Sequence, residues 1–254
     1  MPYPEFEYFV EITKRLRKEC PWDREQTHAS IRMGLIEEAY EVVESIDNND
    51  MPELKKELGD LLLQVVFHSN IAEETNAFTL QQVIEAITEK LIARHPHVFG
   101  NTEVTGSEHV KENWEKLKMK EGRESVMDGV PKELPALLRA YRLQEKASKV
   151  GFDWQKREDV WNKVTEEIAE LHHAIASENI PEMEAELGDL LFSIVNYSRF
   201  IRVNPEVALR RSVEKFIERF TFIERKLKER GKNIQTSSFE EMDKLWDEAK
   251  KDKL

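Results

Sequence analysis

Two tandem, homologous, all-α helical-bundle domains are what this sequence predicts, on three observations. An acidic signature is written twice: Glu37-Glu38-x-x-Glu41 followed by Glu57-Leu58-Gly59-Asp60-Leu61-Leu62, and, at identical internal spacing in the second half, Glu166-Glu167-x-x-Glu170 followed by Glu186-Leu187-Gly188-Asp189-Leu190-Leu191. Aligned without a gap, residues 37–69 and 166–198 agree at 14 of 33 positions, and the matches include charges as well as apolar residues. Apolar residues recur at helical spacing through most of the chain, and no strand pattern of convincing length interrupts them. Helix-start signals also recur in step, Asp50-Met51-Pro52-Glu53 in one half and Asn179-Ile180-Pro181-Glu182 in the other.

Each element has its own warrant. Phe6, Phe9, Val10, Ile12 and Leu16 give residues 4–19 a helical rhythm. Thr27 is a natural cap for a helix over 27–47, which carries Ile31, Leu35, Ala39, Val42, Val43 and Ile46 on its apolar stripe. Asp50, with an early proline and Glu53 at the third helical position, opens a helix to about Glu73. Thr79 and Asn204-Pro205 open the next helix of each half, to about Arg94 and Arg230, and last helices are expected over 107–121 and 238–251. Gly122, Gly129, Pro131 and Pro135 break helical continuity between the halves, and a new helix over 134–149 leads into Gly151-Phe152-Asp153-Trp154. The domains are therefore expected at 1–125 and 134–254, with 126–133 as linker.

Bulk properties bound the function. The chain has 254 residues and a net charge of −12, which argues against nucleic acid as the main ligand. No apolar run approaches the roughly 18–20 residues a membrane span requires. The start, Met1-Pro2-Tyr3-Pro4-Glu5, carries neither a basic region nor an apolar stretch, so no secretory signal is expected. A single cysteine, Cys20, permits no internal disulfide, and a cytoplasmic location is expected.

The acids carry the chemistry. Residues three or four apart share a helix face, so Glu38 with Glu41, and Glu57 with Asp60, point together. The connection between their helices is short, which makes the helices antiparallel neighbours and lets the four carboxylates converge. Glu167, Glu170, Glu186 and Asp189 repeat the set. Clustered carboxylates repel one another unless a cation or a proton neutralises them, and an oxygen-only set suits Mg²⁺ or Mn²⁺. Gly59 and Gly188, inside helices where glycine is unfavourable by about 1 kcal/mol relative to alanine, imply either tight helix packing or room for a bulky group. Lys90 and Arg94 stand one turn apart, as do Lys215 and Arg219, and can hold phosphate oxygens. Trp114 with Lys118 is matched by Trp246 with Lys250; the tryptophans can stack on a base or close the bundle. Glu170-x-x-His173 has the spacing of a di-iron motif, but the first half has Glu44 where His173 stands.

These residues also carry a family resemblance. Glu-Glu-x-x-Glu followed by Glu-x-x-Asp on helical bundles resembles the all-α nucleoside triphosphate pyrophosphohydrolases. Cys20-Pro21-Trp22-Asp23, Leu35 to Glu41, Glu57 to Leu62, Arg94 to Gly100 and the tandem second copy make the chain most similar to the MazG family. The resemblance implies Mg²⁺-dependent hydrolysis of nucleoside triphosphates to monophosphate and pyrophosphate by metal-activated water, as nucleotide house-cleaning, in a homodimer. It implies Glu38, Glu41, Glu57, Asp60, Glu167, Glu170, Glu186 and Asp189 as metal ligands, with Glu38 and Glu167 as candidates for activating the water. It places Lys215, Arg219 and Trp246 at nucleotide contacts, and the repeat extends that expectation to Lys250 and to Lys90, Arg94, Trp114 and Lys118. Family members can have one active half and one weak or silent half. The rival readings are a narrower dUTP or dCTP pyrophosphatase and a non-enzymatic acidic helical adaptor; a protein partner is not readable from the sequence.

Overall fold

A computed structural model describes residues 4–107, 109–110, 113–114, 117 and 125–251. The chain divides into two compact units, Met1–Thr105 and Gly106–Leu254. Among the described residues there is no strand, as the helical periodicity predicts, and no helix is long and apolar enough to cross a membrane.

The first unit contains α1 (Pro4–Glu19), α2 (Pro21–Glu25), α3 (His28–Asp47), α4 (Met51–Glu74), α5 (Leu80–Arg94) and α6 (Pro96–Phe99). Helices α3 and α4 form its central hairpin, and α1 and α5 pack on α4. The caps are those the sequence signals. Thr27 accepts from the Ser30 N–H in a capping box, Asp50 from the Glu53 N–H and Thr79 from the Gln82 N–H. Val66, Phe67, Ile71 and Ala72 of α4 are buried, and Arg17 of α1 is buried with them. Its guanidinium lies 5.5 Å from the centre of the Phe67 ring and pairs with Glu74 at 2.6 Å.

In the second unit the described helices are α7 (Ala136–Lys149), α8 (Arg157–Ala176), α9 (Ile180–Phe200), α10 (Pro205–Glu229) and α11 (Phe239–Lys251), with a 3₁₀ turn at Ile234–Thr236. The α8–α9 hairpin repeats α3–α4; α7 packs on α9 and α10, and α11 on α10. Asn179 and Asn204 cap α9 and α10 through their side chains. The helix expected over 107–121 falls largely outside the described residues, and Lys118 lies outside them; Ser107, His109, Val110, Asn113, Trp114 and Leu117 are helical.

The glycines inside the acidic motifs do not pack tightly. A Cβ built on Gly59 or Gly188 meets nothing within 4 Å, so the space above both is open. Within the chain, no neighbouring helix crowds either glycine.

Candidate functional site

In the first unit, the α3–α4 hairpin gathers Glu38, Glu41 and Glu57, each offering a carboxylate oxygen within 4.8 Å of the others. The short turn after α3 makes this convergence. Asn49 adopts a left-handed φ of 53°, and the Asp50 N–H donates to Ser45 O at 2.9 Å, reversing the chain at the end of α3. Asp60, one turn beyond Glu57, is outside the set of three, but its charge reaches Glu38. Loss of surrounding water is the leading cause that raises the Glu57 carboxyl to about 7, followed by hydrogen bonds with Glu41 and Glu53. Glu38 is also raised, first by loss of water and then by the Asp60 charge, against a hydrogen bond from Gln64 that works the other way. A carboxyl that retains its proton near neutrality among other acids, as Glu57 does, marks a place that a divalent cation suits.

The second unit gathers Glu167 of α8 with Glu186 and Asp189 of α9, again within 4.8 Å. Glu170 is outside this set; a hydrogen bond with Glu167 is the main cause that raises its carboxyl above the usual range. Of the acids expected as ligands, Glu38, Glu41 and Glu57 therefore converge in one unit and Glu167, Glu186 and Asp189 in the other, with Asp60 and Glu170 beside them.

The sites differ at a residue the acidic pattern does not reveal. Lys163, one turn before Glu167, pairs with Glu166 at 2.7 Å and with Glu167 at 2.7 Å. Those contacts raise its ammonium above the usual lysine value. Glu167 is buried, at 5% exposure, so this lysine is its counter-charge in the absence of a cation. The equivalent position in the first copy of the repeat is Gly34. A Cβ there would stand 3.2 Å from Gln64 Nε2, the amide that serves Glu38, whereas the counterpart of Gln64 is the smaller Ser193.

Beside the second acidic set opens a cavity of about 450 Å³, with Glu167, Asp189 and Lys163 in its lining. Clefts of this size, within roughly 300–1,000 Å³, take small molecules. One wall is the turn after α7. Gly151 takes a left-handed φ of 89°, and the Phe152 N–H returns to Ala147 O at 3.1 Å. That turn presents Phe152 and Trp154 to the cavity, and Asp153 pairs with Arg199 of α9 at 2.7 Å. Another wall is Met127, carried by a loop that the buried Lys146 holds through Val126 O at 3.0 Å and Asp128 O at 3.1 Å.

The expected basic and aromatic residues are carried by other helices. Lys90 and Arg94 are on α5, which packs on α4; Lys215 and Arg219 are on α10, which packs on α7 and α11. Trp246 packs against Ile223, Leu227 and Leu245 and meets Phe216 at 5.4 Å. Arg219 lies 5.5 Å from the centre of the Trp246 ring, and Lys250 pairs with Asp247 at 3.0 Å. Trp114 is half-buried and falls in the second unit.

Comparison with known proteins gives the following likenesses. The MazG nucleotide pyrophosphohydrolase domain matches residues 26–99 and 155–222. A nucleoside triphosphate pyrophosphohydrolase/pyrophosphatase MazG of Thermotoga maritima is 46% identical over 96% of this chain and 95% of its own. A nucleoside triphosphate pyrophosphohydrolase of Escherichia coli K12 is 39% identical over 96% of both chains. Among solved structures, a mazG-related protein from Thermotoga maritima aligns at TM-score 0.41 and 26% identity, covering 44% of this chain and 98% of that one.

Proposed function

This chain belongs to the MazG nucleotide pyrophosphohydrolase family, and from that premise we propose that it hydrolyses nucleoside triphosphates to monophosphate and pyrophosphate, with Mg²⁺, as nucleotide house-cleaning. The observation that carries the reading is the pair of hairpins that gather carboxylates, one of them beside a cavity of ligand size. The donors are all oxygens, which suits Mg²⁺ or Mn²⁺. The first site's ligands are Glu38, Glu41 and Glu57, completed by Asp60; the second's are Glu167, Glu186 and Asp189, completed by Glu170. When bound, the cation supplies neutralisation of the triphosphate and of the charge that develops on the leaving pyrophosphate.

The chain's own groups do the rest. Glu38 and Glu167 are the candidates to take the proton of the attacking water. Lys215, Arg219 and Lys250, with Trp246, are proposed to steady phosphate oxygens and nucleotide at the second site, as Lys90, Arg94, Trp114 and Lys118 are at the first. No covalent intermediate is needed. The repeats are read as 1–125 and 134–254, joined by 126–133.

We further read the protein as a homodimer that does not bind nucleic acid or membranes. Apolar side chains stand exposed on the hairpins, among them Tyr40, Leu58 and Leu62 in the first unit and Ile168, Leu187 and Leu191 in the second, a pattern that marks association surfaces. The test of function is a pyrophosphate-release assay across canonical and damaged nucleotides, with Mg²⁺ and with chelator. Metal-dependent release is expected. Release that survives alanine at Glu57, Asp60, Glu186 and Asp189 together overturns the assignment of the acids, and no metal-dependent release at all favours an adaptor.

A further inference from the structure

We propose that Asp153 and Arg199 are positioning residues for the nucleoside: their ion pair fixes the wall that closes the cavity at the end away from the second acidic set. The inference rests on the triphosphate reading above and deepens it.

The cavity follows one face of α9. Asp189, Phe192, Ser193, Asn196 and Arg199 all line it, at positions i, i+3, i+4, i+7 and i+10 of that helix. Residues at this spacing share a face. A rise of about 1.5 Å per residue separates Asp189 from Arg199 by about 15 Å along the axis. If the acids hold the metal and phosphates at the Asp189 end, the room toward Arg199 is left for the nucleoside.

The wall at the Arg199 end includes Phe152, Asp153 and Trp154, three successive residues that line the cavity. Backbone bonds tie this turn to the end of α7: the Gly151 N–H donates to Ser148 O at 3.0 Å and the Phe152 N–H to Ala147 O at 3.1 Å. Asp153 ties it to α9. Its Oδ1 accepts from the Trp154 N–H at 3.0 Å, and its Oδ2 accepts from Arg199 Nη2 at 2.7 Å. Arg199 is held in turn, since its Nη1 donates to Asn196 Oδ1 at 2.5 Å and its guanidinium lies 5.8 Å from the centre of the Phe200 ring. The pair is largely out of water, with side-chain exposures of 12% for Arg199 and 26% for Asp153.

The residue types follow from these duties. A carboxylate accepts on both oxygens, whereas an amide accepts on one. An asparagine at 153 can therefore serve Trp154 or Arg199 but not both. A guanidinium donates in two directions from a rigid fork, which an ammonium does not. The bridge thus sets the turn and fixes it to the helix that also bears Glu186 and Asp189.

The test separates the two ends of the ligand. Calorimetry with Mg²⁺ compares α,β-methylene-ATP with inorganic tripolyphosphate, which has the phosphates and no nucleoside. Asp153→Asn and Arg199→Gln should each weaken the nucleotide about tenfold and leave tripolyphosphate unchanged. The double variant should be no weaker than either single one, because both remove the same bridge. KM for ATP should rise by a similar factor with kcat held. Equal losses for the two ligands, additive losses in the double variant, or undiminished nucleotide affinity in the folded variants overturn the proposal. The wild-type protein supplies a second measurement that needs no variant to fold. Amide hydrogen exchange across residues 150–156 should slow when α,β-methylene-ATP binds and not when tripolyphosphate binds; the absence of that difference also overturns it. If no nucleotide yields pyrophosphate, the hydrolysis reading fails, and calorimetry and exchange still decide the role of the pair.

Discussion

Glu57 keeps its proton up to about pH 7 in the folded, metal-free protein, against an ordinary value of 4.5. The folded state therefore binds the extra proton between those values. The stability contributed by this group is complete below about 4.5 and is lost as pH rises through 7. In chelator the melting temperature should fall across that window. Mg²⁺ should remove the fall, because the cation takes over the neutralising role of the proton. Melting curves in chelator and in Mg²⁺ check this, and Glu57→Gln should flatten the chelator series. Lys163 has the opposite duty, neutralising the buried Glu167. Lys163→Met should destabilise the metal-free protein by about 1–2 kcal/mol, a value discounted for the partial exposure of the lysine, and Mg²⁺ should recover most of it. Denaturant titration with and without the metal measures both. The acids were legible in the sequence because charge at helical spacing survives in both halves. Lys163 was not, since its counterpart in the first copy is Gly34 and its side chain shows no purpose until the helices are packed.

At the scale of elements, the hairpin turns fix the sites. Asn49 and Glu178 hold equivalent positions in the two copies, and both end their helices in the left-handed region, at φ of 53° and 54°. Asparagine tolerates that conformation, but glutamate is strained in it. Glu178→Gly should therefore raise stability by about 0.5–1 kcal/mol with no loss of metal binding, read by thermal melting and calorimetry. Gly151→Ala should act in the other direction. No atom lies within 4 Å of a Cβ at that position, so the loss of about 1–2 kcal/mol is backbone strain alone. It should be accompanied by weaker nucleotide binding, because this turn presents Phe152 and Trp154 to the cavity. The long helices were readable from their caps: Thr27, Asp50, Thr79, Asn179 and Asn204 all bond as their spacing predicts. The short α2 and the 3₁₀ turn were not, because neither is long enough to show a period.

At the scale of the whole molecule, the repeat makes two similar acidic sets, while the residues around them diverge. Ser193, Asn196 and Arg199 line the cavity of the second unit; their counterparts in the first copy are Gln64, Phe67 and Asn70. In the first unit Phe67 and Asn70 are buried, Asn70 donates to Thr13 at 3.2 Å, and Arg17 lies against the Phe67 ring. Phe67 and Asn70 of the first unit are thus packed where the second unit has the cavity-lining Asn196 and Arg199. Metal binding needs only the acids, but turnover needs room for the nucleoside as well. Both sites should therefore bind Mg²⁺, while pyrophosphate release should come mainly from the second. Glu186→Ala with Asp189→Ala should lower kcat by about 10²–10³-fold, the scale on which loss of transition-state charge stabilisation acts. Glu57→Ala with Asp60→Ala should remove one class of Mg²⁺ site in calorimetry and leave turnover within about twofold of wild type. If the first pair of substitutions lowers turnover only by half and the second does the same, both units catalyse, and the packing around Phe67 opens to admit a nucleotide.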